Sequence, residues 1–210
     1  TFGFGRAGVC LDRYYIERFV GRHRSAVRGT VLEVGSDEYT RRFGTDVERS
    51  DILHVVPGSP GAAVVADLAR APELPDASYD CVVLTQTLLV IYDVRSAVET
   101  VRRILKPGGT VLATAPGICK ISRGDMMRWG DFWRFTDLSL KRLLGEFFGP
   151  EGVSVESFGN VMAAAAYLHG LVVEDVGTAA LDERDDDYPI VLGVCAVKEG
   201  GGGGSIRRAV

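Results

Sequence analysis

The chain has 210 residues, 46% of them hydrophobic and 25% charged, which is enough for one well-buried core and short for two. Its formal net charge of −4 leaves no basic surplus to meet a nucleic-acid backbone, and no run is dominated by Lys and Arg. No stretch reaches the roughly 18 consecutive apolar residues of a membrane span, and the first residues lack a basic segment followed by an apolar one. Neither nucleic acid nor membrane is therefore expected as a partner, and the expected location is the cytoplasm. Cys10, Cys81, Cys119 and Cys195 are widely separated, with no C-x-x-C pair and no His at ligand spacing, so no metal is expected.

In chain order, Leu11, Tyr14, Tyr15, Ile16, Phe19 and Val20 fall on one side of a helix, inside an N-terminal helical segment spanning 1–29. Short apolar runs at 30–34, 52–56 and 62–66 predict three strands, halted by Gly35, by Pro57 with Gly58, and by Asp67. Continuous apolar runs at 79–84 and 110–115 predict strands buried on both faces of a parallel sheet. Between them Val94, Ala97, Val98, Val101, Ile104 and Leu105 follow helical spacing, with Asp93 as N-cap and Gly108 beyond the end. Strand, helix, strand with short turns implies a right-handed crossover and an α/β doubly wound sheet over 30–199. Helices at about 137–147 and 160–171 and strands at 153–157 and 190–197 complete it. The acidic run 182–187 reads as a solvated loop, and 200–210 as a Gly-rich flexible tail.

Ligands of such a sheet bind beyond the carboxyl ends of the strands, so the first strand, ending in E-V-G-S-D-E-Y at 33–39, matters most. A dinucleotide site wants G-x-G-x-x-G, and only Gly35 is in place. Asp37 and Glu38 at the helix start would repel a pyrophosphate and suit a ligand carrying a sulfonium and an ammonium; the same acids are also ordinary helix-stabilising residues.

The order V-L-E-V-G at 31–35, A-D-L at 66–68, L-P-D-A-S-Y-D-C-V-V-L at 74–84 and R-I-L-K-P-G-G-T-V-L-A-T at 103–114 resembles the class I S-adenosylmethionine-dependent methyltransferases. The resemblance implies a Rossmann-like, mostly parallel seven-stranded sheet that binds S-adenosylmethionine and yields S-adenosylhomocysteine. By its pattern Glu33 and Gly35 contact the amino-acid part of the cofactor, Asp67 and Leu68 sit at the adenine, and Thr85, Gln86 and Thr87 line the cofactor and face the acceptor. Two departures stand out: Asp37 and Tyr39 replace the second and third glycines of the first motif, and the second strand ends in Val56 and Pro57 where a ribose-binding acid is usual. Asp37 is a candidate for the methionine ammonium, and the backbone at 57–59 for the ribose.

A closer resemblance, to a bacterial subgroup found with glycosyltransferases in polysaccharide and natural-product gene sets, rests on several marks. They are F-G-F-G-R at 2–6, L-D-R-Y-Y-I-E-R-F at 11–19, Y-T-R-R-F-G at 39–44, L-T-Q-T-L at 84–88, W-G-D-F-W-R-F-T at 129–136 and Y-L-H-G-L at 167–171. It implies a small-molecule acceptor such as a glycan or glycosylated metabolite, with a glycosyltransferase as pathway partner.

Methyl transfer is in-line displacement at carbon, so alignment supplies much of the rate, and a hydroxyl acceptor benefits from a base. His169 and Asp131 are the base candidates, while His23 and His54 read as solvent-facing or packing residues. Trp129, Trp133 and Arg134 follow the fifth strand, where aromatic faces suit sugars and Arg suits carboxylate or phosphate. Tyr14 and Tyr15 are placed to close over the site from the N-terminal helix. The leading reading is an O-methyltransferase of a sugar or glycosylated product. A methyltransferase-like domain without transfer activity, serving as a binding or scaffolding partner, is the alternative, and a nicotinamide-dependent oxidoreductase is disfavoured by the missing glycines.

Overall fold

A computed structural model describes residues 7–200 of the chain. The F-G-F-G-R stretch at 2–6 and the tail beyond Gly200 lie outside the described residues. The strands are β1 (Gly29–Val34), β2 (Val47–His54), β3 (Val64–Val65), β4 (Tyr79–Thr85), β5 (Leu105–Pro116), β6 (Val153–Phe158) and β7 (Val191–Val197). They form one sheet of order β3-β2-β1-β4-β5-β7-β6, parallel except for β7, which runs antiparallel to both β5 and β6.

The strand pattern explains the two-sided burial. In β1 and β4 consecutive residues are buried on opposite faces. Leu32, Val82 and Leu84 pack with the helices α3 (Val94–Ile104) and α5 (Asp137–Phe148). Val31, Cys81 and Val83 pack with α1 (Leu11–Arg22) and α6 (Val161–Leu168). Each such aliphatic side chain, fully buried, contributes about 1.5–3 kcal/mol. Because α1 buries Leu11, Tyr15, Ile16, Phe19 and Val20 in the same cluster as β1 and β4, it is part of the core. It lies so close to β7 that a Cβ on Gly193 would stand 2.3 Å from Phe19 Cδ2.

Helix α3 starts as expected, the Asp93 carboxylate accepting from the Ser96 amide, and its Ala97, Val98, Val101 and Ile104 are buried. The second strand differs most from expectation, since β2 begins at Val47 and stops at His54 rather than running from 52 to 56. Its first half, after Val47, carries the polar side chains Glu48, Arg49 and Ser50, which no apolar pattern would mark. The strand forms because β1 supplies a parallel backbone ladder from Gly29↔Val47 to Val34↔Leu53. The third strand shrinks to two residues, and α6 ends at Leu168. No helix among the described residues is long and apolar enough to cross a membrane.

Candidate functional site

The carboxyl ends of β3, β2, β1, β4 and β5 open into one cleft of about 1130 Å³. That exceeds the roughly 300–1,000 Å³ of ordinary small-ligand sites and leaves room for two ligands side by side. The order of strands fixes the order of residues along it. Ala66, Asp67, Leu68 and Arg70 come from the end of β3, Leu53 to Val56 from β2, Val34 and Gly35 from β1, Thr85 to Thr87 from β4, and Pro116, Cys119 and Lys120 from β5.

Of the residues expected at the cofactor, Gly35, Asp67, Leu68, Thr85 and Gln86 line this cleft. Gly35 has φ +84°, and the space where a Cβ would stand is empty, so the backbone is open to a ligand there. Asp67 is exposed, one carboxylate oxygen accepting from the Ala69 amide at 2.9 Å. Gln86 holds the left-handed backbone, φ 49°, a conformation costing about 1–3 kcal/mol in a non-glycine residue. Its amide is fixed by Thr114, donating to the carbonyl at 2.9 Å, which ties the bend to β5.

Glu33 and Asp37 stand elsewhere. Glu33 is 1% exposed and turns back under the helix α2 (Glu38–Phe43), accepting from the Tyr39 amide at 3.1 Å and from the Thr40 amide and hydroxyl at 2.7 Å each. Burial pushes its carboxyl above the ordinary range, and the three hydrogen bonds oppose that shift. It braces the turn that exposes Gly35 and does not reach the cleft. Asp37 sits at the start of α2 and pairs with Arg41 at 3.2 Å, outside the cleft lining. Helical geometry turns it toward its own i+4 neighbour.

The wall over the β4 and β5 ends is the segment 117–136, containing the short helix α4 (Arg123–Arg128). Trp129, Asp131 and Arg134 line the cleft, yet two of them are engaged in holding the wall together. Asp131 accepts both ends of the Arg134 guanidinium, at 2.6 and 3.0 Å, and the Ser122 amide at 2.8 Å. Arg134 also donates to the carbonyls of Lys120 and Trp133. The Arg134 hydrogen bonds hold the Asp131 carboxyl below the usual carboxylate range, which unsuits it as a base at neutral pH. Trp133 does not line the cleft; its indole donates to the Ile91 carbonyl at 3.0 Å and its ring stacks on Tyr92.

Tyr14, Tyr15 and His169 are not brought to the cleft lining either. Leu11 and Asp12, at the start of α1, reach the cleft, whereas Tyr14 and Tyr15, further along that helix, contact the short helix Thr178–Asp182. Tyr14 donates to Asp182 at 2.7 Å, and Tyr15, buried, donates to the Leu181 carbonyl at 3.0 Å. His169 is exposed at the end of α6, between Tyr167 and Gly170, which do reach the cleft.

Residues that sequence reasoning passed over now appear. Asp12 and Tyr167 meet in the cleft lining where α1 and α6 approach it, the phenol donating to the carboxylate at 3.2 Å, and burial, reinforced by Asp12, pushes the Tyr167 phenol up so that it stays a donor. Tyr92 and Phe132, 71% and 48% exposed, lie edge to face at the rim. His54 lines the cleft as the last residue of β2. Of this set Asp12, Tyr167 and His54 lie on α1, α6 and β2, and Tyr92 and Phe132 lie on loops. No cluster of three or more potential metal ligands occurs among the described residues.

Residues 31–113 match the family model of a methyltransferase domain. A probable S-adenosylmethionine-dependent methyltransferase of Mycolicibacterium smegmatis is 34% identical over 113 residues, covering 49% of this chain and 43% of that protein, so the match spans less than half the length of this curated relative. Among solved structures, an S-adenosylmethionine-dependent methyltransferase from Mesorhizobium loti superposes with a TM-score of 0.56 at 15% identity, over 90% of this chain and 98% of that one. The [4+2]-cyclase SpnF superposes with a TM-score of 0.54 at 20% identity, over 90% and 82%. At these identities the superpositions establish a shared Rossmann-like fold, which by itself hosts more than one chemistry.

Proposed function

We propose that this chain is an S-adenosylmethionine-dependent methyltransferase acting on the hydroxyl of a small molecule of the sugar or glycosylated-metabolite class, with S-adenosylhomocysteine as product. One observation carries the reading: Gly35, Asp67, Leu68, Thr85 and Gln86 all fall inside the methyltransferase-domain match and all line one half of the cleft. The donor set fits the cofactor. Gly35 offers open backbone to the amino-acid end, the Asp67 carboxylate accepts from an exocyclic amine, and Leu68 gives the adenine an apolar face. When bound, the cofactor supplies an electrophilic methyl on a sulfonium.

The other half of the cleft takes the acceptor. Trp129, Phe132 and Tyr92 present ring faces and edges suited to the apolar faces of a sugar, in line with an acceptor made by a glycosyltransferase. The proton of the reacting hydroxyl goes to Asp12, which the Tyr167 phenol orients, in place of His169 and Asp131. Thr85 and Gln86, between the halves, align the partners.

Calorimetric titration with S-adenosylmethionine and S-adenosylhomocysteine tests the reading. Wild-type protein binds both saturably, and Asp67→Ala weakens binding about 10-fold, the worth of one charge-assisted hydrogen bond. Absence of binding to the folded wild type overturns it.

A further inference from the structure

We infer that His54 is the ribose-recognition residue of this site, using an imidazole N–H donor. The inference rests on the cofactor reading above. If the adenine lies at Asp67 and the amino-acid end at Gly35, the ribose joining them crosses the end of the intervening strand, because β2 stands between β3 and β1. Neighbouring strands are about 4.8 Å apart, so this step matches the single sugar ring that separates the two ends of the cofactor. The last residue of β2 is His54, and its side chain lines the cleft.

Two contacts fix how the ring is presented. The Val56 amide donates to His54 Nδ1 at 3.1 Å, so in the neutral imidazole Nδ1 is the acceptor and Nε2 carries the proton. Trp129, reaching across from the wall, meets the imidazole edge to face with centroids 5.5 Å apart and interplanar angle 71°. The ring is thereby held in one tautomer with Nε2–H as the free donor, between a strand end and an indole. A sugar hydroxyl oxygen is the acceptor such a donor fits. The backbone at 57–59, the earlier candidate for this task, lies past the strand end and is absent from the cleft lining.

The test measures S-adenosylhomocysteine binding by calorimetry for wild type, His54→Ala and His54→Gln, alongside its 2′-deoxy and 3′-deoxy analogues, with thermal midpoints as a check on folding. Loss of one neutral hydrogen bond predicts about 5-fold weaker binding of S-adenosylhomocysteine to His54→Ala. His54→Gln, which keeps an N–H donor, retains most of the affinity. Wild type discriminates against one of the deoxy analogues, and His54→Ala does not. Undiminished binding by His54→Ala, or an equal loss for all three ligands, overturns the assignment while leaving the cofactor reading intact. A folded wild type that binds none of them overturns the cofactor reading itself.

Discussion

The floor of the cleft and its wall are built by opposite means. The floor is the row of strand ends, held by a buried ladder and braced from behind by Glu33, a carboxylate with 1% exposure that satisfies three protein donors. The wall, 117–136, has one short helix and is otherwise irregular chain stapled by the Asp131–Arg134 pair and the Trp133 indole. Both carboxylates read in sequence as ligand-facing groups, and both are spent on holding the protein's own chain in place, Glu33 through amides and a hydroxyl and Asp131 through a guanidinium and an amide. Their titrations run in opposite directions: burial raises the Glu33 carboxyl, and Arg134 lowers that of Asp131. A buried acid surrounded by amides thus holds a turn at an electrostatic cost, whereas an acid gripped by a guanidinium gains from ionising.

The largest effect expected from breaking this contrast is Glu33→Ala. It strands the Tyr39 and Thr40 donors, each worth about 1–3 kcal/mol, so denaturant unfolding should show a loss of about 3 kcal/mol or more together with lost cofactor binding. Asp131→Asn comes next, at about 1–3 kcal/mol at pH 7. Its pH dependence sharpens the comparison. Because the folded Asp131 carboxyl is lowered, its contribution is present above the ordinary value of about 3.9 and fades as pH falls through the folded one. Urea melts should therefore show the gap between wild type and Asp131→Asn closing in acid. Glu33 runs the other way: its contribution is fullest below about 4.3 and declines as pH rises through its raised folded value. The smallest effect is Trp133→Phe, which removes one indole hydrogen bond and should cost about 1 kcal/mol, with cofactor affinity unchanged and the acceptor side loosened.

Legibility followed the same divide. Strands β4 and β5, helix α3 and its Asp93 cap could be read because apolar runs and capping chemistry are local. Gly35 and Asp67 could be placed because strand ends point to the ligand side. The position of His54 could not, since the ladder with β1 runs out at Val34↔Leu53, which ends the strand two residues before the apolar run does. Asp12 with Tyr167 escaped notice because their meeting spans most of the chain, and Tyr14, Tyr15 and His169 were misplaced by less than one helical turn.

The first described residues are sewn to a late segment: Cys10 bridges Val172, the Val173 amide donates to the Val9 carbonyl, and the Val9 amide donates to Glu174, 165 positions away. At synthesis rates of about 5–20 residues per second, a ribosome separates those partners by roughly 8–33 s. Strands β1 to β5 have all emerged well before then, so during translation the proposed cofactor half of the cleft has its strands long before Asp12 can find Tyr167. The proposed acceptor half is consequently completed after the strands of the proposed cofactor half.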